Sequence, residues 1–374
     1  MSTLELAQEL ISIKSISPED KGCFKILDKQ VTELGFRVEY SSYLNVENML
    51  AKHGSEGKVF CFLGHTDVVP SGPIDQWDVD PFAGEIVDEK LIGRGAADMK
   101  SSIAAFIGAA RRFLIDNPSP PFQIWVLLTS NEEGELADGK IDKLIADLQS
   151  KNQFIDYCLV GEASSKKSVG DVMRRGRRGS LTGYLTIHGK QGHVAYPNEV
   201  KNPIHASGEF IKIMSEQEWD QGNVDFDPTS FQISNINSGT GATNVVPGDL
   251  EMVFNFRFSP ENTSKNLKDS VAKILNDLKI EHSITWVQNA EPYYTKEEDF
   301  INIIQAALLK VNGEEAIIDN GGGTSDGRWI APMGTQTIEL GPLNKTIHKI
   351  NEQISLKDLK KLEEVYLAVL KEML

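Results

Sequence analysis

Three short apolar segments of the chain are each followed directly by side chains that can bind a cation. Residues 59–63 precede His65 and Asp67, residues 124–128 precede Glu132 and Glu133, and residues 157–160 precede Glu162. Stretches with apolar residues at helical spacing lie between these strand-like segments. Such alternation predicts an α/β layer with a mainly parallel sheet, in which the working loops follow the carboxyl ends of the strands. We therefore expect these side chains to meet at one edge of the sheet.

The pattern changes after Gly179 and predicts a second domain. Its predicted order is strand, helix, strand, strand, helix, strand, which is the ferredoxin-like α+β unit. We therefore predict a catalytic metal-binding domain from residues 1–179 and 293–374, with residues 180–292 inserted as a second domain. A separate third domain after residue 293 is the alternative. We prefer the insertion because a piece of about 80 residues is small for an independent domain.

The charge and hydrophobicity of the chain limit the kinds of molecule that it is expected to bind. The chain has 38 Lys and Arg against 54 Asp and Glu, and a formal net charge of -16. That balance disfavours binding to nucleic acid, which depends on cations that neutralise phosphates. The basic run 174–178 is the exception, and a solvated turn is its simplest interpretation. No apolar stretch approaches the roughly 20 residues that a membrane helix needs, and no signal peptide is visible.

The number and spacing of the three cysteines indicate the redox state of the compartment in which the protein works. Cys23, Cys61 and Cys158 are odd in number and far apart, so they indicate neither a disulfide framework nor a paired-cysteine metal site. A reducing compartment fits this usage best. We therefore expect a cytoplasmic protein without a membrane or nucleic-acid partner.

Each candidate residue has an ordinary explanation when it is considered alone. Asp98 stands where the N-cap of the following helix belongs, and the glutamates 132, 133 and 135 could form an acidic turn that faces water. Three successive strand ends with imidazole and carboxylate groups are harder to dismiss, because zinc accepts both ligand types. A pair of such ions needs about five or six ligands, and His348 is the candidate for a second histidine. If His348 completes the site, the C-terminal segment belongs to the first domain.

Several motifs together resemble the M20 family of co-catalytic metallopeptidases and deacylases. They are His65-Thr66-Asp67, residues 93–100, Glu132-Glu133-Gly134, Gly161-Glu162 and the late His348. The resemblance implies a zinc-peptidase-like catalytic domain with two Zn²⁺ per subunit, which Co²⁺ can replace. It also implies that Asp98 bridges the ions, with His65 and Glu162 on one and Glu133 and His348 on the other. Glu132 would be the general base, and Asp67 would stand behind His65.

Further motifs resemble the members of this family that remove a succinyl group from diaminopimelate. They lie at residues 176–181, 192–197, 243–247, 255–257 and 322–328. The resemblance implies seven substrate-binding residues: Arg178, His193, Asn244, Arg257, Gly323, Thr324 and Ser325. It also implies a homodimer formed through the 180–292 domain, which would act as a lid, with His193 donating to the oxyanion of the partner subunit's reaction.

Two other functions remain open at this point. One is an acetylornithine deacetylase or a dipeptidase-like hydrolase, which keeps the metals and changes the acyl group. The other is a binding protein without activity that retains the fold. That protein would be expected to have lost a ligand or the base, yet all six candidate positions carry competent residue types. The chain departs from the family pattern at Ser101, Asn131 and Ala163, none of which is a predicted ligand.

Overall fold

The computed structural model describes residues 1–134 and 141–374, so Glu135 lies outside the described residues. The chain divides into two compact units. The first comprises Met1–Gly176, Tyr294–Asp319 and Ser325–Leu374, and the second comprises Arg177–Tyr293 and Asn320–Thr324. The second unit thus takes in a short loop that lies outside the range 180–292. Within the described part of the chain, no helix combines the length and apolar character needed to cross a membrane.

The secondary structure follows the predicted alternation. The α-helices are α1 (Thr3–Ile11), α2 (Cys23–Thr32), α3 (Lys100–Asp116), α4 (Ile141–Ser150), α5 (Pro203–Glu216), α6 (Ser264–Asp277), α7 (Asp299–Asn312), α8 (Gly327–Ile330) and α9 (Leu356–Glu372). The strands are β1 (Arg37–Tyr43), β2 (Val46–His53), β3 (Val59–His65), β4 (Glu85–Val87), β5 (Lys90–Ile92), β6 (Gln123–Thr129), β7 (Tyr157–Val160), β8 (Val172–Met173), β9 (Gly176–Arg177), β10 (Gly179–His188), β11 (Gly192–His193), β12 (Ser230–Ser238), β13 (Val245–Val246), β14 (Asp249–Phe258), β15 (His282–Ala290), β16 (Tyr293–Tyr294), β17 (Ile317–Ile318), β18 (Gln336–Glu339) and β19 (Gln353–Ser355).

A six-stranded sheet forms the centre of the first unit. Its order is β1-β2-β6-β3-β7-β18. Strand β3 runs parallel to β6 and β7, and β18 runs parallel to β7, while β1 and β2 are antiparallel additions at one edge. The α/β class with a mainly parallel sheet is therefore confirmed. Because β6, β3 and β7 are neighbours, the three predicted strand ends lie side by side.

Successive residues of β3 point to opposite faces of the sheet and into two apolar cores. Phe60 and Phe62 pack against α3, where the rings of Phe62 and Phe106 are stacked with centroids 4.3 Å apart. Cys61 and Leu63 face the other core, which includes residues of α4. A strand that is buried on both faces has no room for shift in register. The carboxyl end of β3 is therefore held firmly in place.

The start of α3 is tied to α1 by a buried lysine. The Lys100 ammonium donates to the carbonyl oxygens of Leu10 and Ile13 at 2.8 and 2.7 Å, where α1 ends. Burial lowers the pKa of Lys100. Gly108 of α3 allows the close approach of α1, because a Cβ there would lie 2.0 Å from the Thr3 hydroxyl oxygen. These contacts position the loop that precedes α3.

The second unit has a four-stranded antiparallel sheet in the order β12-β14-β10-β15. In chain order its main elements are β10, α5, β12, β14, α6 and β15, so the predicted ferredoxin-like order is confirmed. Its core contains Phe254, Phe256 and Phe258 of β14 with apolar residues of both helices. The opposite face of β10 and β14 carries polar side chains such as Asn255, which bonds Ser180 and Thr182.

The interpretation of residues 174–178 as a solvated turn is wrong. Arg174, Arg175 and Arg177 are buried. Arg174 donates to a backbone carbonyl oxygen at 3.2 Å, Arg175 pairs with Glu298 at 2.8 Å, and Arg177 donates to the carbonyl oxygens of Gly321 and Gly323 at 3.2 Å. Buried guanidinium groups need such acceptors. Most of the run therefore has a structural use that composition does not reveal.

Candidate metal centre

His65 ends β3 with an orientation that suits a metal ligand. Its Nδ1 lies 2.9 Å from the backbone oxygen of Asp67, and the ring is almost fully buried. Its Nε2 faces two carboxylates, Asp98 Oδ1 at 3.2 Å and Glu162 Oε1 at 3.6 Å. When the backbone oxygen accepts from Nδ1–H, the Nε2 lone pair is free to bind a cation.

His348 approaches the same carboxylate from a distant part of the chain. It lies in the loop between β18 and β19, with φ of 58°, a left-handed conformation that is uncommon for a non-glycine residue. Its Nε2 lies 2.7 Å from Glu133 Oε1 and 3.3 Å from Asp98 Oδ2. Unlike His65, the imidazole is about half exposed, with 48% of the side chain accessible. The loop therefore presents His348 at an open side of the cluster.

Asp98 links the two halves, because its two oxygens face different imidazoles. The ordinary alternative, that Asp98 caps α3, does not apply: the N-cap is Met99, and no side-chain hydrogen bond caps that helix. The contacts of Asp98 with His65 and His348, at 3.2 and 3.3 Å, match the separation of about 3.4 Å between two ligand atoms on one tetrahedral zinc. Two overlapping sets of potential ligand atoms each lie within 4.8 Å: His65 with Asp98 and Glu133, and His65 with Glu132 and Glu162. The donor set fits a pair of divalent cations.

The electrostatics of the cluster also fit cations. Burial, with the charge of Asp326 next in size, raises the pKa of Glu132 to about 8. Burial and the neighbouring Asp98 raise the pKa of Glu162 well above its ordinary value. In the absence of metal, protons must therefore offset a surplus of buried carboxylates. A divalent cation would take over that role.

The two histidines respond in the opposite direction to the same surplus. Burial would lower the pKa of His65, but the hydrogen bond to Asp98 and the charges of Asp67 and Glu162 raise it well above the ordinary value. Hydrogen bonds to Asp98 and Glu133 raise the pKa of His348 to about 10. The hydrogen bonds of Asp98 with His348 and His65 hold the pKa of Asp98 below its usual range despite burial. Protons on the two imidazoles thus take the place of the cations that these rings would bind.

Asp67 has a more specific place than the position behind His65 that the resemblance implies. It is fully buried, and its carboxylate accepts the backbone N–H groups of Glu132 and Glu133 at 3.0 and 3.1 Å. The Ser17 hydroxyl donates to the same carboxylate. Its carboxylate lies 3.6 Å from the imidazole, beyond hydrogen-bonding distance, so the closer contact with His65 is made by the backbone oxygen. The Asp67 carboxylate therefore fixes the loop that carries both glutamates.

Two residues that the sequence does not single out, Ser17 and Glu352, form hydrogen bonds that hold predicted site residues in place. Ser17 bonds Asp67, and Glu352 accepts the backbone N–H groups of Ala97 and Asp98. Neither carries a motif of its own in the sequence. The one available signal for Glu352 is its place four residues after His348, on the same loop. Contacts of such long range cannot be inferred from spacing alone.

The second unit contains a pair of arginines that have no counter-charge among the described residues. Arg178 and Arg257 are half-buried, and neither forms an ion pair with any residue that the structure describes. Arg257 is the register partner of Ser180, and burial together with the charge of Arg178 lowers the pKa of Arg257. Two such neighbours repel each other unless an anion lies between them. They form a candidate carboxylate-binding pair.

The other predicted substrate-binding residues lie in different parts of the structure. His193 and Asn244 are neighbours in the second unit, where β11 pairs with β13. The Val194 N–H donates to the backbone oxygen of Asn244 at 3.1 Å. Gly323 is exposed and Thr324 is half-buried in the loop of that unit. Ser325 belongs to the first unit, where it is fully buried with its hydroxyl donating to Glu339. Its side chain is thus committed to an internal contact.

Comparisons with known proteins agree on one family. Residues 61–372 match the model of peptidase family M20/M25/M40. The chain is 47% identical over 372 residues to a succinyl-diaminopimelate desuccinylase of Methylobacillus flagellatus, covering 100% of this chain and 99% of the relative. It is also 47% identical over 373 residues to the enzyme of that name from Halorhodospira halophila, covering 100% and 98%.

Solved structures share the fold at low sequence identity. An M20 family metallo-carboxypeptidase from Sulfolobus solfataricus superposes with a TM-score of 0.83 at 18% identity, over 100% of this chain and 99% of the other. A dinuclear metal-binding peptidase of the M20 family from Bacillus subtilis superposes with a TM-score of 0.74 at 14% identity, over 98% and 96%. The fold is therefore shared with these proteins over at least 98% of this chain.

Proposed function

The chain belongs to the M20/M25/M40 peptidase family, and we propose that it cleaves N-succinyl-LL-2,6-diaminopimelate to LL-diaminopimelate and succinate. It is a metal-dependent hydrolase, and the proposed reaction belongs to the biosynthesis of diaminopimelate and lysine. The observation that carries the proposal is the identity of 45–47% with desuccinylases over the full length of both chains. The ligand cluster at the strand ends supports the hydrolytic chemistry.

Two zinc ions per subunit are the proposed cofactors, and cobalt is the proposed substitute. His65 and Glu162 would hold one ion, Glu133 and His348 the other, and Asp98 would hold both. The contacts of each imidazole with a separate oxygen of Asp98 support this division. Such a pair of cations supplies Lewis acidity, which polarises a carbonyl oxygen and lowers the pKa of water.

Glu132 is the proposed general base. Its carboxylate would accept a proton from the attacking water and return it to the leaving amine. The hydrogen bond from its backbone N–H to Asp67 fixes the position from which it acts. Asp67 would therefore serve as a positioning residue for the base and for the neighbouring ligand Glu133.

The arginine pair is the proposed source of specificity. A succinyl amide of diaminopimelate carries several carboxylates, and guanidinium groups bind carboxylates through two parallel hydrogen bonds. Arg178 and Arg257 supply two such groups without a competing internal anion among the described residues. Asn244, Gly323 and Thr324 are proposed as polar contacts to the substrate, and the internal bond of Ser325 favours an indirect role for that residue.

Assembly and location complete the proposal. The chain would form a homodimer through residues 180–292, with His193 of one copy donating to the oxyanion in the reaction of the other. The exposed position of His193 beside Asn244 supports such a role. The biosynthetic role and the three free cysteines favour a cytoplasmic location.

Hydrolysis of paired substrates tests the function. Metal-stripped protein should be inactive, and added zinc should restore turnover of N-succinyl-LL-diaminopimelate but not of N-acetylornithine. Arg178→Met should lower kcat/KM for the succinyl substrate by about 10–100-fold, the expected effect of losing a charged hydrogen bond. Arg112→Ala is the matched control, because that exposed arginine pairs with glutamates of α9. Preference for acetylornithine would favour the deacetylase alternative and contradict the proposed substrate.

Zinc uptake should release protons and weaken at low pH. His65 and His348 have raised pKa values in the metal-free protein, so both are protonated at neutral pH. Zinc needs the neutral imidazoles and an ionised Glu162, whose pKa is also raised, so uptake should displace at least two protons, and the apparent affinity should fall as the pH decreases below about 10, the pKa of His348. Calorimetry in two buffers of different ionisation enthalpy measures this number. Uptake without proton release would contradict the assignment of the two histidines as ligands.

A further inference from the structure

A buried ion pair joins the two chain segments that supply Asp98 and His348. Arg94 Nη1 lies 2.6 Å from Glu352 Oε2, and the two side chains are 2% and 0% exposed. Antiparallel pairing of β5 with β19 brings them together: Gln353 pairs with Ile92, and Gly93 N–H donates to the Glu352 carbonyl oxygen at 2.9 Å. The pair is therefore part of a local two-strand connection.

The second oxygen of Glu352 holds the loop that carries Asp98. Its Oε1 accepts the backbone N–H groups of Ala97 and Asp98, both at 2.9 Å. Both donors precede α3, so they have no partner within that helix. Glu352 therefore fixes the backbone of Asp98, whose two carboxylate oxygens each face one of the imidazoles.

One further hydrogen bond of Arg94 reaches the loop that carries His348. Arg94 Nη1 donates to the carbonyl oxygen of Lys349, the residue after His348, at 3.2 Å. Its Nη2 donates to the carbonyl oxygen of Pro70 at 3.3 Å, and the guanidinium lies over the Trp77 ring at 5.3 Å. Arginine suits acceptors that lie this far apart, because its planar fork donates in several directions, whereas lysine ends in one compact ammonium group.

We propose that Arg94 and Glu352 are positioning residues that set the spacing between Asp98 and His348, and thereby determine how tightly the centre binds its metal ions. This inference rests on the proposed metal-dependent function. A gain in stability is a weak explanation for the presence of this pair, because a buried ion pair commonly stabilises a protein no more than well-packed apolar side chains would. What the pair adds here is one rigid connection to both ligand-bearing segments.

Conservative and non-conservative changes at Glu352 separate positioning from general stability. Glu352→Ala removes the acceptor for both N–H groups, and zinc affinity should fall by about 10–100-fold, as for other residues that orient metal ligands. Glu352→Gln keeps one oxygen as an acceptor and should recover most of that loss. Zinc affinity is measured by competition with a chelator. The absorption spectrum of the cobalt-loaded protein reports the ligand geometry.

Arg94→Lys gives a second, milder test. The lysine can keep a charge near Glu352 but cannot also reach the Lys349 carbonyl oxygen. The ion proposed to be held by Glu133 and His348 should therefore be lost first. Metal content should fall from two ions toward one at a zinc concentration where the unchanged protein keeps both.

Two controls exclude a merely structural effect. Arg94→Met with Glu352→Leu removes both charges, so thermal stability should return toward that of the unchanged metal-free protein. Its zinc affinity should stay low, because Ala97 and Asp98 still lack their acceptor. Arg112→Ala breaks an exposed ion pair of the same unit and should leave zinc affinity unchanged.

Unchanged zinc affinity in Glu352→Ala and in the double variant, with only lower thermal stability, would overturn the inference. These measurements need no substrate, so they are distinct from the test of the function. A protein that binds zinc as expected but leaves the succinyl amide intact would contradict the proposed substrate alone. A protein that binds no divalent ion would contradict both.

Discussion

Glu132→Gln should lower kcat by roughly 10²–10⁴-fold, the usual contribution of a general acid–base group. Glutamine has nearly the same shape as glutamate but cannot accept a proton at neutral pH. The backbone N–H of residue 132 still bonds Asp67, so the loop and the ligand Glu133 stay in place. Binding of two zinc ions should therefore survive, while turnover of the succinyl substrate falls. Steady-state kinetics with metal analysis of the same samples measure both quantities.

The metal content of this variant also decides between two roles for Glu132. Its carboxylate lies within 4.8 Å of the ligand atoms of His65 and Glu162, so geometry alone permits it to bind the cation there. A base leaves the metal content unchanged when it is replaced, whereas a ligand does not. Loss of one ion in Glu132→Gln would make Glu132 a ligand. Full activity with full metal content would reject both roles.

The parts of the site that the sequence predicts share a topological cause. In a parallel sheet the strands end at one edge, and neighbouring strands are often close in sequence. His65 ends β3, and Glu132 and Glu162 follow its neighbours β6 and β7, so locating the strands is enough to bring these residues together. The closing helix likewise begins where a local pattern places it, at Leu356 directly after Ser355, whose side chain accepts the Asp358 N–H as an N-cap. Local patterns and one rule of topology account for this much.

The parts that the sequence does not predict depend on contacts between distant segments. Asp98 has the local pattern of an N-cap, but its backbone is bonded by Glu352, 254 positions away, and its side chain faces two imidazoles. Asp67 is expected behind His65 because it lies two residues after it. Its carboxylate instead accepts the backbone N–H of Glu132 and the hydroxyl of Ser17, and so holds the loop that carries Glu132. Spacing within one segment carries no information about such partners.

Asp98→Ala should have the largest effect on metal binding. It removes both oxygens that face the imidazoles, so both zinc ions should bind far more weakly than after loss of an outer partner, which costs about 10–100-fold. Hydrolysis should then fall below detection at ordinary zinc concentrations. Asp98→Asn keeps one oxygen and should keep one ion, because an amide nitrogen does not bind zinc. Zinc titration and the cobalt spectrum distinguish these outcomes.

The metal-free form of the same variant gives an independent measurement. The hydrogen bond to Asp98 is the largest cause of the pKa of about 10 for His348, and Asp98→Ala removes it. The pKa of His348 should therefore fall toward its ordinary value, as followed by the ring proton signals in an NMR titration. His193→Ala is the matched control, because that exposed imidazole lies in the second unit and should change neither the titration nor zinc uptake. Two tightly bound zinc ions in Asp98→Ala would mean that no shared carboxylate is needed, and that each imidazole with its own glutamate binds a separate ion.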